Sequence, residues 1–118
     1  MRILLPFPNR KLSPNARGHW ASKIRLRNEA KDIGRFCAMA ALEGRPFELV
    51  PPYKLTLTIY PPDKRRRDTD NVIAALKASL DGVAAGLGVD DALFRNYAVW
   101  WEEPVRGGKV AIDITELR

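Results

Sequence analysis

Residues 53 to 60, "YKLTLTIY", alternate without a break: Tyr53, Leu55, Leu57 and Ile59 fall on one side, Lys54, Thr56, Thr58 and Tyr60 on the other. A period of two is that of a strand with one face in a core and one turned away from it. Pro61 and Pro62 follow at once, and since neither can donate to a ladder the strand stops there. A chain holding such a strand must build a sheet around it and find something to cover its apolar face.

The flanking spacing supplies the cover. From Ala21 to Leu42, Ile24, Ala30, Ile33, Cys37 and Ala40 recur at helical intervals, while Lys23, Arg27, Lys31 and Arg35 stand four apart on another face. This predicts an amphipathic helix with a basic stripe, which is either a solvated face or a row of phosphate contacts. A second helix is expected from Asn71 to Ala85, burying Val72, Leu76, Leu80 and Val83 or Ala84, with Thr69 or Asp70 as its cap. Residues 2 to 7, "RILLPF", read as a short strand, and "PNRKLSPNARGHW" as an irregular loop. After the turn "GLGVDD", Leu93 to Glu102 and residues 109 to 117 read as strands, with "PVRGG" as a hairpin loop between them.

The expected order is therefore β-α-β-α-β-β in a single domain spanning residues 1–118. It is an α/β (α+β mixed) fold: a small mixed β-sheet of about four strands with two helices packed on it. Strands joined through helices should lie parallel and the last pair antiparallel.

Twenty Lys and Arg against fourteen Asp and Glu leave a formal charge of +6, which favours polyanions through steering and counterion release. The single cysteine, Cys37, excludes a disulfide within one chain and fits a reducing compartment; in "RFCAMAAL" it reads as core filling. No apolar run approaches membrane-spanning length, and "MRILLPFPNR" is too short and proline-broken for a secretory signal, so a cytoplasmic location with no membrane partner is expected.

The densest charge is in "PPDKRRRDTDN", where Lys64, Arg65, Arg66 and Arg67 abut Asp68 and Asp70. If the segment is extended, aspartates two apart point the same way, as needed to hold one hard cation through oxygen. The plain alternative is that Asp70 caps the helix and Asp68 pairs with Arg65 or Arg66. Asp90 and Asp91 form another acidic pair, which ordinary turn chemistry also explains. Lys77 lies seven residues past Asp70, about 10.5 Å along a helix and on nearly the same face, where it either stabilises charge at a phosphoryl group or is simply solvated. His19 beside Trp20 is structural, or else touches DNA or orients a water. Trp100 and Trp101 face opposite ways, so one belongs to a core or dimer interface and the other is free to stack on a base. No zinc site, nucleophile triad or glycine-rich nucleotide loop is visible, so no small-molecule cofactor is expected.

"RRRDTDN", the Lys77 and Asp81 pair, "GVDDALF" and the opening "LPFPNRKLSPNARGHW" together resemble the RusA family of Holliday junction resolvases, many of them encoded by phages and prophages. The resemblance covers nearly the whole chain. It implies a homodimeric endodeoxyribonuclease that cuts paired strands of a four-way DNA junction with Mg²⁺, for which Mn²⁺ can substitute. The family's catalytic carboxylates match Asp68, Asp70 and Asp91, and these would be the metal ligands. Its lysine comes four residues after the second motif aspartate in the founding pattern, where this chain has Ala74; Lys77 keeps the helix face and takes over the role. Lys64, Arg65, Arg66, Arg67, Arg27 and Lys31 are the expected DNA contacts, with Asn71 and Asp90 supporting the carboxylates. A nuclease of the same chemistry acting on flaps, forks or RNA, and an inactive DNA-binding module, are the rivals.

The expected topology sets a geometric problem. A helix of about fifteen residues would hold Asp91 roughly 20 Å from Asp68 and Asp70, whereas Mg²⁺ ligands lie at about 2.1 Å. Either the loop from Gly86 to Asp91 folds back along the helix, or Asp91 comes from the second chain of a two-fold dimer. The dimer is favoured, because it also matches the near two-fold symmetry of a four-way junction.

Overall fold

The computed structural model describes residues 1–117. Its strands are β1 (Arg2–Pro6), β2 (Tyr53–Tyr60), β3 (Tyr97–Trp101) and β4 (Lys109–Glu116), and its helices α1 (Trp20–Leu42) and α2 (Thr69–Leu87). Short 3₁₀ turns at Arg10–Leu12 and Asp91–Leu93 complete the order. The β-α-β-α-β-β reading and the four-stranded mixed sheet are borne out.

Strand β2 behaves as its alternation requires: Tyr53, Leu55, Leu57 and Ile59 are all at most 2% exposed, facing a core built with Ile3, Leu5, Leu76, Val83, Ile112 and Ile114. Burying each such side chain contributes roughly 1.5–3 kcal/mol, so this face drives the fold. Among the described residues, no helix packs on the opposite sheet face. It carries Lys54, Thr56, Thr58 and Tyr60, with Lys109 Nζ 4.8 Å from the Tyr60 ring and Arg2 paired to Asp113 at 3.2 Å.

The last two strands correct the expectation. They do not form a hairpin: the sheet order is β1-β4-β2-β3, with β4 antiparallel to both β1 and β2, and β3 parallel to β2. The segment after β3 passes across the end of β2, where Val105 N–H bonds the Pro61 carbonyl at 2.9 Å, before β4 enters between β1 and β2. Val110, Ile112 and Ile114 are wholly buried on one face of β4 and Ala111 is only 1% exposed on the other, as suits a strand with a neighbour on each side. Strand β3 is also shorter than expected, its first residues being taken by the 3₁₀ turn and the stretch after it.

Helix α1 buries a different stripe from the one its large residues suggested. Gly34 and Ala38 are buried, whereas Ile24 and Ile33 are 42% and 44% exposed. The reason is close contact between the two helices. A Cβ on Gly34 would collide with the Ser79 carbonyl, and one on Gly82 with the Lys31 carbonyl. Small residues on both helices let the backbones touch, and that contact fixes the rotation of α1.

Helix α2 starts at Thr69, two residues earlier than expected, because its cap is Asp68 rather than Thr69 or Asp70: Asp68 Oδ1 accepts the Asp70 N–H at 2.9 Å. It packs beside α1, which itself touches β1, and buries Val72, Leu76, Leu80 and Val83 in the core.

Candidate functional site

The charged turn before α2 is organised by Asp63. Its Oδ1 accepts the Arg65 N–H at 2.9 Å and pairs with the Arg67 guanidinium at 2.9 Å. That backbone N–H, followed by Arg67, holds the Asp63 carboxyl below the usual aspartate value. Arg67 also donates to the carbonyls of Asp63 and Arg65 and lies 5.3 Å from the centre of the Phe7 ring, so its side chain is only 17% exposed. It braces the loop, while Lys64, Arg65 and Arg66 stand exposed beside it. The bracing role of Asp63 was missed by sequence reasoning, although an aspartate after two prolines is a turn signal.

Asp68 and Asp70 occupy the cap and first turn of α2, so their spacing is that of a helix start and not of an extended segment. Both are exposed. The Asn71 side-chain oxygen accepts from Asn15 Nδ2 at 3.4 Å, tying the N-terminal loop to this end of the helix.

Further along α2, Lys77 Nζ lies 2.6 Å from Asp81 Oδ1 and 3.6 Å from Asp91 Oδ2. The hydrogen bond to Asp81 comes first among the causes that raise the Lys77 pKa, with the charges of Asp81 and Asp91 adding to it against partial burial. Asp91 is held below its usual value, first by hydrogen bonding with Asp81, then by the Lys77 charge and by Asp90. Asp90 does turn chemistry, its Oδ1 accepting the Ala92 N–H at 2.9 Å.

Asp91 reaches this position because α2 stops at Gly88, in the left-handed conformation (φ 77°), and the chain doubles back into the 3₁₀ turn. The loop therefore does fold back, but it stops level with Asp81. That is eleven residues, or about 16 Å of helix axis, from Asp70. Among the described residues, no three His, Cys, Asp or Glu side chains are grouped so as to hold one metal ion. The donor types suit a hard cation, but one chain does not gather them.

The two acidic ends are joined by cationic clefts. One of about 370 Å³ is lined by Lys11, Lys23, Arg27, Lys77 and Asp81 over a floor of Ala74 and Ala78. A second, of about 260 Å³, is lined by Arg10, Arg66, Arg67, Asp68 and Asn71, and both include Ser13 and Ala75. Arg27 is thus where a backbone contact would need it, whereas Lys31 is exposed beyond the cleft lining. Arg10, Lys11 and Lys23 join the candidate site unannounced, except that Lys23 belongs to the basic stripe.

His19 caps α1, its Nδ1 accepting the Ala21 N–H at 3.2 Å. Trp101 Nε1 donates to Thr69 Oγ1 at 3.1 Å beside Asp68, and Trp100 stands 62% exposed on the open sheet face. No described helix is long and apolar enough to cross a membrane.

The ion pair sets a pH expectation. Asp91, with its lowered pKa, contributes stability above the ordinary aspartate value and loses it as pH falls through the lowered one. Lys77 contributes below the ordinary lysine value and loses this as pH rises through its raised one. In a carboxyl-detected NMR titration, Asp91 should titrate below an ordinary aspartate and move upward in Lys77→Met. An unmoved midpoint would separate the two groups.

No protein-family model matches the chain. It is 30% identical over 118 residues to the crossover junction endodeoxyribonuclease RusA of Escherichia coli K12, covering 98% of this chain and 93% of that one. A protein of the same description from Enterobacteria phage 82 is 39% identical over 70 residues, 58% of this chain and 56% of its own. An uncharacterized protein of Xylella fastidiosa is 33% identical over 116 residues, 98% of this chain and 76% of its own.

Proposed function

The chain belongs to the RusA family of crossover junction endodeoxyribonucleases, and from that premise we propose that it is a cytoplasmic, Mg²⁺-dependent enzyme that resolves four-way DNA junctions by paired phosphodiester hydrolysis. The observation that carries the reading is the placement of Asp68 and Asp70 at an exposed helix start, flanked by three exposed cations and continuous with a cationic cleft. Lys64, Arg65 and Arg66 hold the DNA backbone next to carboxylates that would otherwise repel it, and Arg27, Lys11 and Lys23 continue the track. Arg67 and Asp63 keep that loop in shape.

Since one chain does not gather Asp68, Asp70 and Asp91, the reading requires a homodimer in which each ion site takes Asp68 and Asp70 from one chain and Asp91 from the other. The bound ion, Mg²⁺ or Mn²⁺, would neutralise phosphate charge and lower the pKa of a water. Lys77 is held protonated by Asp81 and Asp91 and arrives with Asp91, as a cation for the charge that develops on the phosphate.

The test is a panel of labelled substrates: an immobile four-way junction, linear duplex, flap and RNA hairpin, each with Mg²⁺ and with EDTA. Symmetrical nicking of the junction alone, only with the ion, is expected. Cutting of flaps or RNA with equal efficiency would reassign the substrate, and salt-sensitive junction binding without cutting would leave a binding module. Changing Lys64, Arg65 and Arg66 together to alanine should lower the slope of log affinity against log salt by about three, one for each phosphate that the run no longer neutralises. An unchanged slope would remove the run from the interface.

A further inference from the structure

Of the two adjacent tryptophans, the less exposed one stands beside the candidate site. Alternation along β3 turns Trp100, 62% exposed, to the open sheet face and Trp101, 38% exposed, to the helix side. The Trp101 backbone pairs with Ile59 of β2, and its indole N–H donates to Thr69 Oγ1 at 3.1 Å. A ring held at both ends has little freedom left to lose when something lies on it.

Trp101 lines a cleft of about 580 Å³, within the roughly 300–1,000 Å³ that ligand pockets span. Thr69 and Pro104 line it too, and the run Lys64, Arg65, Arg66 and Arg67 supplies its charge. Four cations there meet two carboxylates, and one of these, Asp63, is already paired with Arg67. That leaves Glu103 against the three exposed cations, so the cleft is cationic with one fixed aromatic ring. A flat π system attached to an anion matches it, and a nucleobase with its phosphates is such a group.

The cleft adjoins the aspartates. Arg66 and Arg67 also line the cleft that holds Asp68, so the two are continuous. Thr69, which holds the indole, stands between Asp68 and Asp70 in the chain. A strand with a phosphate at those aspartates therefore has a neighbouring base within reach of Trp101. Stacked duplex bases have both faces covered and offer none to the indole. At a branch point, where strands exchange partners and pairing is interrupted, unstacking a base costs least.

We propose that the Trp101 cleft takes one nucleobase unstacked at the branch point of the junction, with Lys64, Arg65 and Arg66 on the phosphates beside it. Trp101 thereby ties the aspartates to the place where the strands exchange. This rests on the junction-cutting reading and adds to it the group that the enzyme grips there.

The test is a cycle of two deletions, the indole and the base. Immobile junctions with a single abasic nucleotide, placed at each branch-point position in turn and far along one arm as control, are titrated in EDTA with wild-type protein and with Trp101→Ala. Trp101→Ala should bind the intact junction and the arm control at least about fivefold more weakly than wild type, the low end of what base–aromatic stacking contributes. At one branch-point position this loss should shrink to less than about twofold, because the base that the indole would stack on is already gone. Trp101→Phe, which keeps a ring face and gives up the bond to Thr69, should recover most of the affinity. An equal loss on every junction would make Trp101 only a support for the fold at Thr69, and no loss would mean that DNA does not enter the cleft; either overturns the proposal. If Trp101→Ala does not fold, Trp101→Leu, which fills space without a π face, runs the same cycle. A wild-type protein that cuts junction, flap and duplex without preference defeats the underlying reading, whereas selective junction cutting without the coupled loss defeats the base pocket alone.

Discussion

Exchanging Asp70 for asparagine is expected to reduce junction cleavage about a thousandfold, equivalent to about 4 kcal/mol of lost transition-state stabilisation, while junction binding holds or tightens. Asparagine keeps the size and hydrogen bonding of the side chain but removes the charge that would hold a cation, so the loss falls on chemistry. Binding is spared because an anion beside the DNA phosphate has gone. Asp68 needs a finer comparison, since it also caps α2 through the Asp70 N–H. Asparagine caps as well as aspartate, whereas alanine forfeits about 1 kcal/mol of helix stability. Asp68→Asn should therefore lose cleavage at an unchanged melting temperature, and Asp68→Ala should lose both. Single-turnover cleavage beside thermal melts reads the two effects separately, and cleavage that survives Asp70→Asn would take that residue out of the site.

The second large effect is on the fold. Gly82→Ala adds one methyl where the Lys31 carbonyl and Arg35 N–H of α1 already sit, and the obstacle is backbone that cannot swing aside. The helices must separate or α1 must slide, which is expected to cost about 3 kcal/mol or more. Because α1 carries Lys23 and Arg27 to the cleft beside Lys77, DNA affinity should fall even in the fraction that stays folded. Ala85→Ser, at an exposed position on the same helix, serves as control and should change little. Denaturant unfolding measures the difference, and a loss below about 1 kcal/mol would mean that the helices are not in backbone contact.

What was legible in the sequence follows from how local each determinant is. The strand at Tyr53–Tyr60 and the apolar stripe of α2 are written in periods of two and of about three and a half, and both formed as read. The position of β4 depends on which strand has the greatest need of cover on both sides, a competition between distant segments that no local period records. The face of α1 was misread for a related reason: size suggests that Ile24 and Ile33 should be inside, but Gly34 and Ala38 permit the closer approach and won. At the site, the motif residues were identifiable by type. The cap at Asp68, the brace made by Asp63 and Arg67, and the return of Asp91 to Lys77 each depend on where one chain end or loop lands in space.

The central claim is that each cutting site is completed by two chains, and mixing variants tests it most directly. Asp70→Asn and Asp91→Asn chains, each inactive alone, are co-refolded in equal amounts and assayed for nicking of a labelled junction. In a mixed dimer the Asp70→Asn chain supplies an intact Asp91 to the other chain's intact Asp68 and Asp70, so one of its two sites is whole. With about half the dimers mixed, about a quarter of the wild-type sites should return, and they should make single nicks rather than paired cuts. Activity no higher than that of either variant alone would mean that each chain completes its own site, contradicting the account.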